Sequence, residues 1–228
     1  TVPVITLTGE STVTIEVGSI YTDAGATATD LSGEISVIST GTVDTSVVGT
    51  YTVTYNATDA SGNEAAAVSR TVNVVDTTVP VITLTGEATV TIEVGSTYTD
   101  AGATATDNYD GDITSSIVTV NPVDTAVVGV YTVTYNVTDA NGNVAVEVTR
   151  IVNVVDTTVP VITLTGESTV TIEVGSTYTD AGASAIDTYD GDLTSSIVTV
   201  NPVDATTVGT YTVTYNVTDT NGNAAVEV

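Results

Sequence analysis

The chain has 228 residues, of which 28 are Asp or Glu, two are Lys or Arg and none is His, a formal charge of −26 with a pI near 4.1. Such a chain repels phosphate, which excludes nucleic acid and anionic membrane surfaces as partners. It has no cysteine for a disulfide and no run approaching the ~18 apolar residues of a membrane span. At 41% hydrophobic residues it has too much apolar surface for a disordered acidic tail.

In chain order, TVPVITLTGE opens the sequence and returns at residues 78 and 158, YTDAGA stands at 21, 98 and 178, and YTVTYN at 51, 131 and 211. Three repeats follow, with boundaries after Asp76 and Asp156: residues 1–76, 77–156 and 157–228. The second and third are offset by 80 residues; the first has lost three residues between Asp30 and Tyr51. The chain starts at Thr1 rather than Met, so a segment or a processed product is expected. The third repeat stops at Val228, the equivalent of Val148, without a counterpart of TRIVNVVD (149–156). Either the native chain runs on or a final half-strand comes from elsewhere.

Within the second repeat, a first strand is predicted over 79–85, continuing through TVTIEV at 89–94. A second ends at Asp107, a third starts at Ile117, and another ends at Asp139. In the last of these Tyr131, Val133, Tyr135 and Val137 alternate with Thr132, Thr134, Asn136 and Thr138, the period of two of a strand with one buried face. Turn signals recur every 8 to 12 residues as TGE, VGS, DGD, VVG and ANGN, the spacing of a sandwich rather than of βαβ units. The fold expected is all-β: a linear array of three Ig-like, Greek-key β-sandwich domains. Tyr98, Tyr131 and Tyr135 fall on the apolar phase and read as core. Arg70 and Arg150, flanked by apolar residues, read as partners of a carboxylate such as Glu16 or Glu93.

Between these strands lie the acidic loops. In an antiparallel sandwich the strands ending at Asp107 and Asp139 point the same way, so their following loops share one pole with the incoming linker. This brings together Asp76, then Asp107, Asp110 and Asp112 of DNYDGD, then Asp139, Asn141 and Asn143. The third repeat gives Asp156, Asp187, Asp190, Asp192, Asp219, Asn221 and Asn223. Five carboxylates at one pole without Lys or His call for a metal ion. All-oxygen ligands in this number select Ca²⁺ over Mg²⁺, and the lack of His and Cys removes zinc and copper. Gly111 and Gly142 are positions where φ > 0 folds the loop around an ion. The competing reading is that Asp and Asn before Gly are ordinary turn formers. No EF-hand is present, because no helix flanks the loop and the bidentate Glu at its twelfth position is missing. In the first repeat DLSGEIS (30–36) replaces DNYDGDIT. That leaves Asp30, Glu34, Asp59 and Asn63 and a weaker expected site.

In the second and third repeats DTTxPVITL, YTDAGAxAxD, DGD(I/L)T and YNVTDxNGNxA occur in that order. This resembles the bacterial Ig-like repeats found in tandem on large surface adhesins, close to hyalin repeats. The resemblance implies the Ig-like fold and, for such modules, mostly a spacer role. Without His, Cys or Lys no conventional base or nucleophile is available, so no catalytic residues and no enzyme activity are expected. The absence of Lys and Gln excludes internal isopeptide and ester links. The function expected is an extracellular, cell-surface stalk or fibre segment rigidified by Ca²⁺ at its junctions. Its partners are neighbouring repeats and other copies in a fibre, with no membrane insertion. The alternatives are a carbohydrate-binding module, with Tyr109 and Tyr189 stacking on a glycan, and a filament subunit completed by strand donation. The rings of Tyr109 and Tyr189 also suit a cover over the neighbouring repeat. Asn56, Asn136 and Asn216 each begin an N-x-T sequon whose use depends on the host.

Overall fold

Alternation of Thr with Val, Ile and Tyr produces nineteen short strands in the computed structural model, which describes residues 1–228. The first repeat contributes β1 (Val4–Leu7), β2 (Thr12–Glu16), β3 (Ala26–Asp30), β4 (Gly33–Ile35), β5 (Val37–Thr40), β6 (Gly49–Ala57) and β7 (Val68–Val75). The second contributes β8 (Val81–Leu84), β9 (Thr89–Glu93), β10 (Ala103–Asp107), β11 (Gly111–Asp112), β12 (Val118–Val120), β13 (Gly129–Asn136) and β14 (Val148–Val155). The third contributes β15 (Val161–Leu164), β16 (Ala183–Asp187), β17 (Gly191–Asp192), β18 (Val198–Val200) and β19 (Thr214–Asn216). The only helical turns are 3₁₀ segments at Thr114–Ser116 and Thr194–Ser196.

Each repeat has two sheets. In the first, β1-β3-β4 faces β2-β7-β6-β5, and Ile5 and Ala28 from one sheet meet Val53, Tyr55 and Ala57 from the other. The second repeat has the same orders, β8-β10-β11 and β9-β14-β13-β12. The chain packs as two compact units that cut across the second repeat. One comprises Thr1–Thr85, Ala103–Thr119 and Tyr135–Val148, the other Gly86–Gly102, Val120–Thr134 and Thr149–Val228. Each unit therefore contains one junction between repeats.

The first predicted strand is two strands in different sheets. β8 runs antiparallel to β10, pairing Leu84 with Ala103, while β9 runs parallel to β14 from Thr89↔Ile151 to Glu93↔Val155. Gly86, at φ +83°, makes the break that the TGE signal marked only as a turn. In the third repeat residues 169–173, equivalent to β9, form no strand. Their parallel partner in the other repeats, β7 or β14, has no counterpart within the 228 residues. Val174 is accordingly 57% exposed where its equivalent Val17 is 8% exposed.

Both arginines pair with a carboxylate, as expected, but not with the glutamates named. Arg70, 1% exposed, bonds Asp23 through Nη1, Tyr55 Oη at 3.0 Å and the Glu10 carbonyl at 2.9 Å. Arg150 pairs with Asp100 and bonds the carbonyls of Glu87 at 2.9 Å and Gly102 at 3.2 Å. Glu16 and Glu93 are not their partners. The segment YTDAG, which is not a strand, carries the acid to the buried guanidinium, and strand periodicity does not reveal such a partner. Of the tyrosines read as core, Tyr135 is fully buried, whereas Tyr98 and Tyr131 are half-buried.

Candidate metal centre

Three segments build the first acidic centre. Asp76 follows directly on β7, Asp107 ends β10 with Asp110 in the turn after it, and Asp139 heads the loop beyond β13. Asp76, Asp107 and Asp139 are buried and Asp110 is half-buried. One carboxylate oxygen from each lies within 4.8 Å of the other three. Asp156, Asp187, Asp190 and Asp219 repeat the arrangement at the second junction.

Local turn chemistry sets each loop. Asp107 Oδ1 accepts the N–H groups of Tyr109 (2.8 Å) and Asp110 (3.0 Å), and Gly111, at φ +73°, lets β11 fold back on β10. Asp139 Oδ1 accepts the N–H groups of Asn141 (2.9 Å) and Asn143 (2.8 Å) around Gly142, at φ +93°. Burial pushes the Asp139 carboxyl up, but the Asn143 amide and the N–H groups of Asn143, Asn141 and Gly142 outweigh it and hold it below its ordinary value. The two loops and the linker are then tied together. Asp110 Oδ2 accepts Ala140 N–H at 2.8 Å, Asn141 Nδ2 donates to Asp76 Oδ2 at 2.9 Å, and Asn143 Nδ2 donates to the Asp76 carbonyl at 3.2 Å.

Asn141, Asn143, Asn221 and Asn223 thus turn amide donors toward the carboxylates, and they orient the acids. At the second junction Asn221 Nδ2 donates to Asp156 Oδ2 at 3.0 Å and Asn223 Nδ2 to the Asp156 carbonyl at 3.1 Å. Asp112 and Asp192 stand outside the four-acid groups. Both are exposed, and each Oδ1 accepts an N–H at 2.9 Å, from Thr114 and Thr194 respectively. β11 pairs Asp112 with Thr106 in the hairpin, so the strand phase separates it from Asp110. In the first repeat Asp30 is capped by Ser32, and Asp59 by Ser61 and Asn63, each within its own loop.

The decisive atom is Asp107 Oδ2. Its residue is only 8% exposed, and this oxygen has no hydrogen-bond partner. A buried carboxylate oxygen left unpaired among three further acids is costly unless a cation answers it. The only two cationic side chains, Arg70 and Arg150, are committed to Asp23 and Asp100. Four acids with only oxygen donors fit a hard cation, and these clusters can hold a metal ion.

Tyr109, beside the first centre, reaches the preceding repeat, its hydroxyl accepting Val48 N–H at 3.3 Å. Tyr189 does the same with Val128 N–H at 3.3 Å. Each hydroxyl is thus bonded to the neighbouring repeat, while Tyr189 remains 37% exposed.

The model of the family described as "Bacterial surface protein, Ig-like domain" matches residues 5–74, 82–154 and 162–227. The chain belongs to this family. The matches take in all three repeats and end short of both linker aspartates, so the family match does not itself cover Asp76 or Asp156. Over 209 residues, 87% of the chain, it is 34% identical to hyalin of Strongylocentrotus purpuratus, of which it covers 17%. It is 31% identical over 206 residues, 85% of the chain, to an uncharacterised 81.3 kDa protein of Acholeplasma phage L2, covering 27% of it. It is 37% identical over 139 residues, 57% of the chain, to the pesticidal crystal protein Cry22Aa of Bacillus thuringiensis, covering 18%. The chain thus spans less than a third of each of these relatives. No helix is long and apolar enough to cross a membrane.

Proposed function

We propose that this chain is an extracellular, non-catalytic stalk or fibre segment of a cell-surface adhesin, and that Ca²⁺ rigidifies the junctions between its repeats. The observation that carries the reading is the convergence of linker and loops. Asp76 belongs to the segment leaving one repeat, while Asp107, Asp110 and Asp139 belong to the next. A cation held by all four ties consecutive repeats together without contributing to either core. Ca²⁺ accepts six to eight oxygens in flexible geometry, so four carboxylates completed by water suit it, whereas Mg²⁺ demands near-ideal octahedra. The membership in a surface-protein family and the hyalin similarity support the location. Repetition of one acid set at both junctions supports a structural role over catalysis.

The test is a thermal melt with parallel small-angle scattering, in chelator and in Ca²⁺. A site filled at ~10 to 100 times its Kd adds about 1.4–2.7 kcal/mol, worth on the order of 10 °C for an 80-residue repeat. Chelator is expected to lower Tm by that order and to broaden the scattering-derived distance distribution while the β signal persists. Superimposable melts and profiles in the two buffers would remove Ca²⁺ from the account.

A further inference from the structure

We infer that β2 with β7, and β9 with β14, are mechanical clamps that resist tension applied along the chain. The inference takes its use from the stalk reading but does not depend on the cation. In the first and second repeats the strand near the entrance and the strand at the exit lie side by side and parallel. β2 pairs with β7 from Thr12↔Thr71 to Glu16↔Val75, and β9 with β14 from Thr89↔Ile151 to Glu93↔Val155. Further backbone bonds bracket each ladder: Thr71 N–H to the Ser11 carbonyl (2.9 Å) and Val17 N–H to the Val75 carbonyl (2.7 Å) in the first repeat. Ile151 N–H to Ala88 O (2.9 Å) and Val94 N–H to Val155 O (2.7 Å) do so in the second.

Geometry dictates how such a pair fails. Tension pulls the entering strand toward its N-terminal end and the leaving strand toward its C-terminal end. In a parallel pair these directions oppose along the ladder, so all its hydrogen bonds are sheared together. An antiparallel hairpin pulled open from its free ends loses them one at a time. β1, which meets the load first, is held only by four pairs to β3. Once it yields, the pull arrives at Thr12.

A side chain closes each clamp at its exit. Glu16 Oε1 accepts Thr77 N–H at 2.9 Å and Oε2 accepts Thr77 Oγ1 at 2.8 Å, and Glu93 grips Thr157 with both distances at 2.8 Å. The last residue of the entering strand thus holds the first linker residue after the acidic centre's Asp76 or Asp156. The third repeat supplies an internal comparison. Residues 169–173 form no strand and Glu173 is exposed.

The experiment is constant-force pulling of the 228-residue chain from its two ends, in Ca²⁺ and in chelator. Each repeat releases on the order of 280 Å at about 3.5 Å per residue, which identifies unfolding events. Two slow events and one roughly tenfold or more faster are expected in both buffers, since forced unfolding reads the unfolding rate. The Glu16→Ala, Glu93→Ala double variant, its folding verified by melting, is expected to accelerate the two slow events about tenfold. The fast event should stay unchanged. Three events of one rate, or a folded double variant with unaltered rates, overturns the inference. A slow–fast difference that survives in chelator while Ca²⁺ leaves the melt unmoved would sink the cation and leave the clamps standing.

Discussion

Asp107 and Asp112 show how far residue type and spacing carry. Both belong to DNYDGD and both read as ligands, but only Asp107 is buried with an oxygen unpaired among other acids. Asp112 lies on the exposed phase of β11 and is held below the ordinary carboxylate range by the side chain and N–H of Thr114. The two therefore answer oppositely to substitution. Asp107→Asn keeps an oxygen for the N–H groups of Tyr109 and Asp110 and replaces the unpaired charged oxygen with a neutral amide. It is expected to raise Tm in chelator, by removing an uncompensated buried charge, and to lower it in Ca²⁺, by removing a ligand. Calorimetric titration should show the loss of one of two binding events. Asp112→Ala, which loses only a turn cap on the exposed hairpin, should lower Tm slightly and equally in either buffer and leave both events in place. An Asp107→Asn variant with two unaltered binding events would show that the unpaired oxygen is not a ligand.

At the scale of elements, alternation located the strands and their buried faces, because a period of two is written directly in Tyr131, Val133 and Tyr135. The sheet switch at Gly86 was not legible, since TVTIEV alternates in the same way whether it pairs antiparallel or parallel. The acid facing each arginine was likewise hidden, because Asp23 sits in a segment without periodicity. That network gives a pH dependence. Burial pushes the Tyr55 phenol up to about 12, reinforced by its bond to Asp23 and that residue's charge. Tyr215, bonded to Asp180 at 2.5 Å, is likewise raised to about 12. With the folded value above the unfolded value near 10, the folded state retains protons that the unfolded state has released. The stability contributed is complete below pH ~10 and is lost as pH rises through ~12. Melts between pH 8 and 12 are expected to fall across that window, with the Tyr55 and Tyr215 phenols among those that resist ionisation in the ultraviolet titration. Tyr55→Phe should flatten part of the alkaline loss and lower Tm at neutral pH, since it strands Arg70 and Asp23 without a hydroxyl. An alkaline limb unchanged in Tyr55→Phe would separate the phenol from it.

For the whole molecule the question is whether cations act at two sites or everywhere. A charge of −26 with two cationic side chains destabilises any folded form through self-repulsion, and any salt relieves it. Screening by NaCl grows smoothly as the Debye length falls from about 10 Å at 0.1 M toward 3 Å at 1 M. It acts on exposed carboxylates such as Asp44 and Asp112 as much as on the centres. A built site instead saturates, and for extracellular modules Kd values are on the order of 10⁻⁴–10⁻³ M. The Asp107→Asn, Asp187→Asn double variant separates the two, because it changes the formal charge only from −26 to about −24 while altering one ligand in each centre. Wild type and double variant are expected to gain equally in Tm across the NaCl series, whereas millimolar Ca²⁺ at constant ionic strength should stabilise wild type alone. If the double variant gains as much from millimolar Ca²⁺ as wild type does, the acidic poles are solvated turns and the chain's charge acts only as a whole.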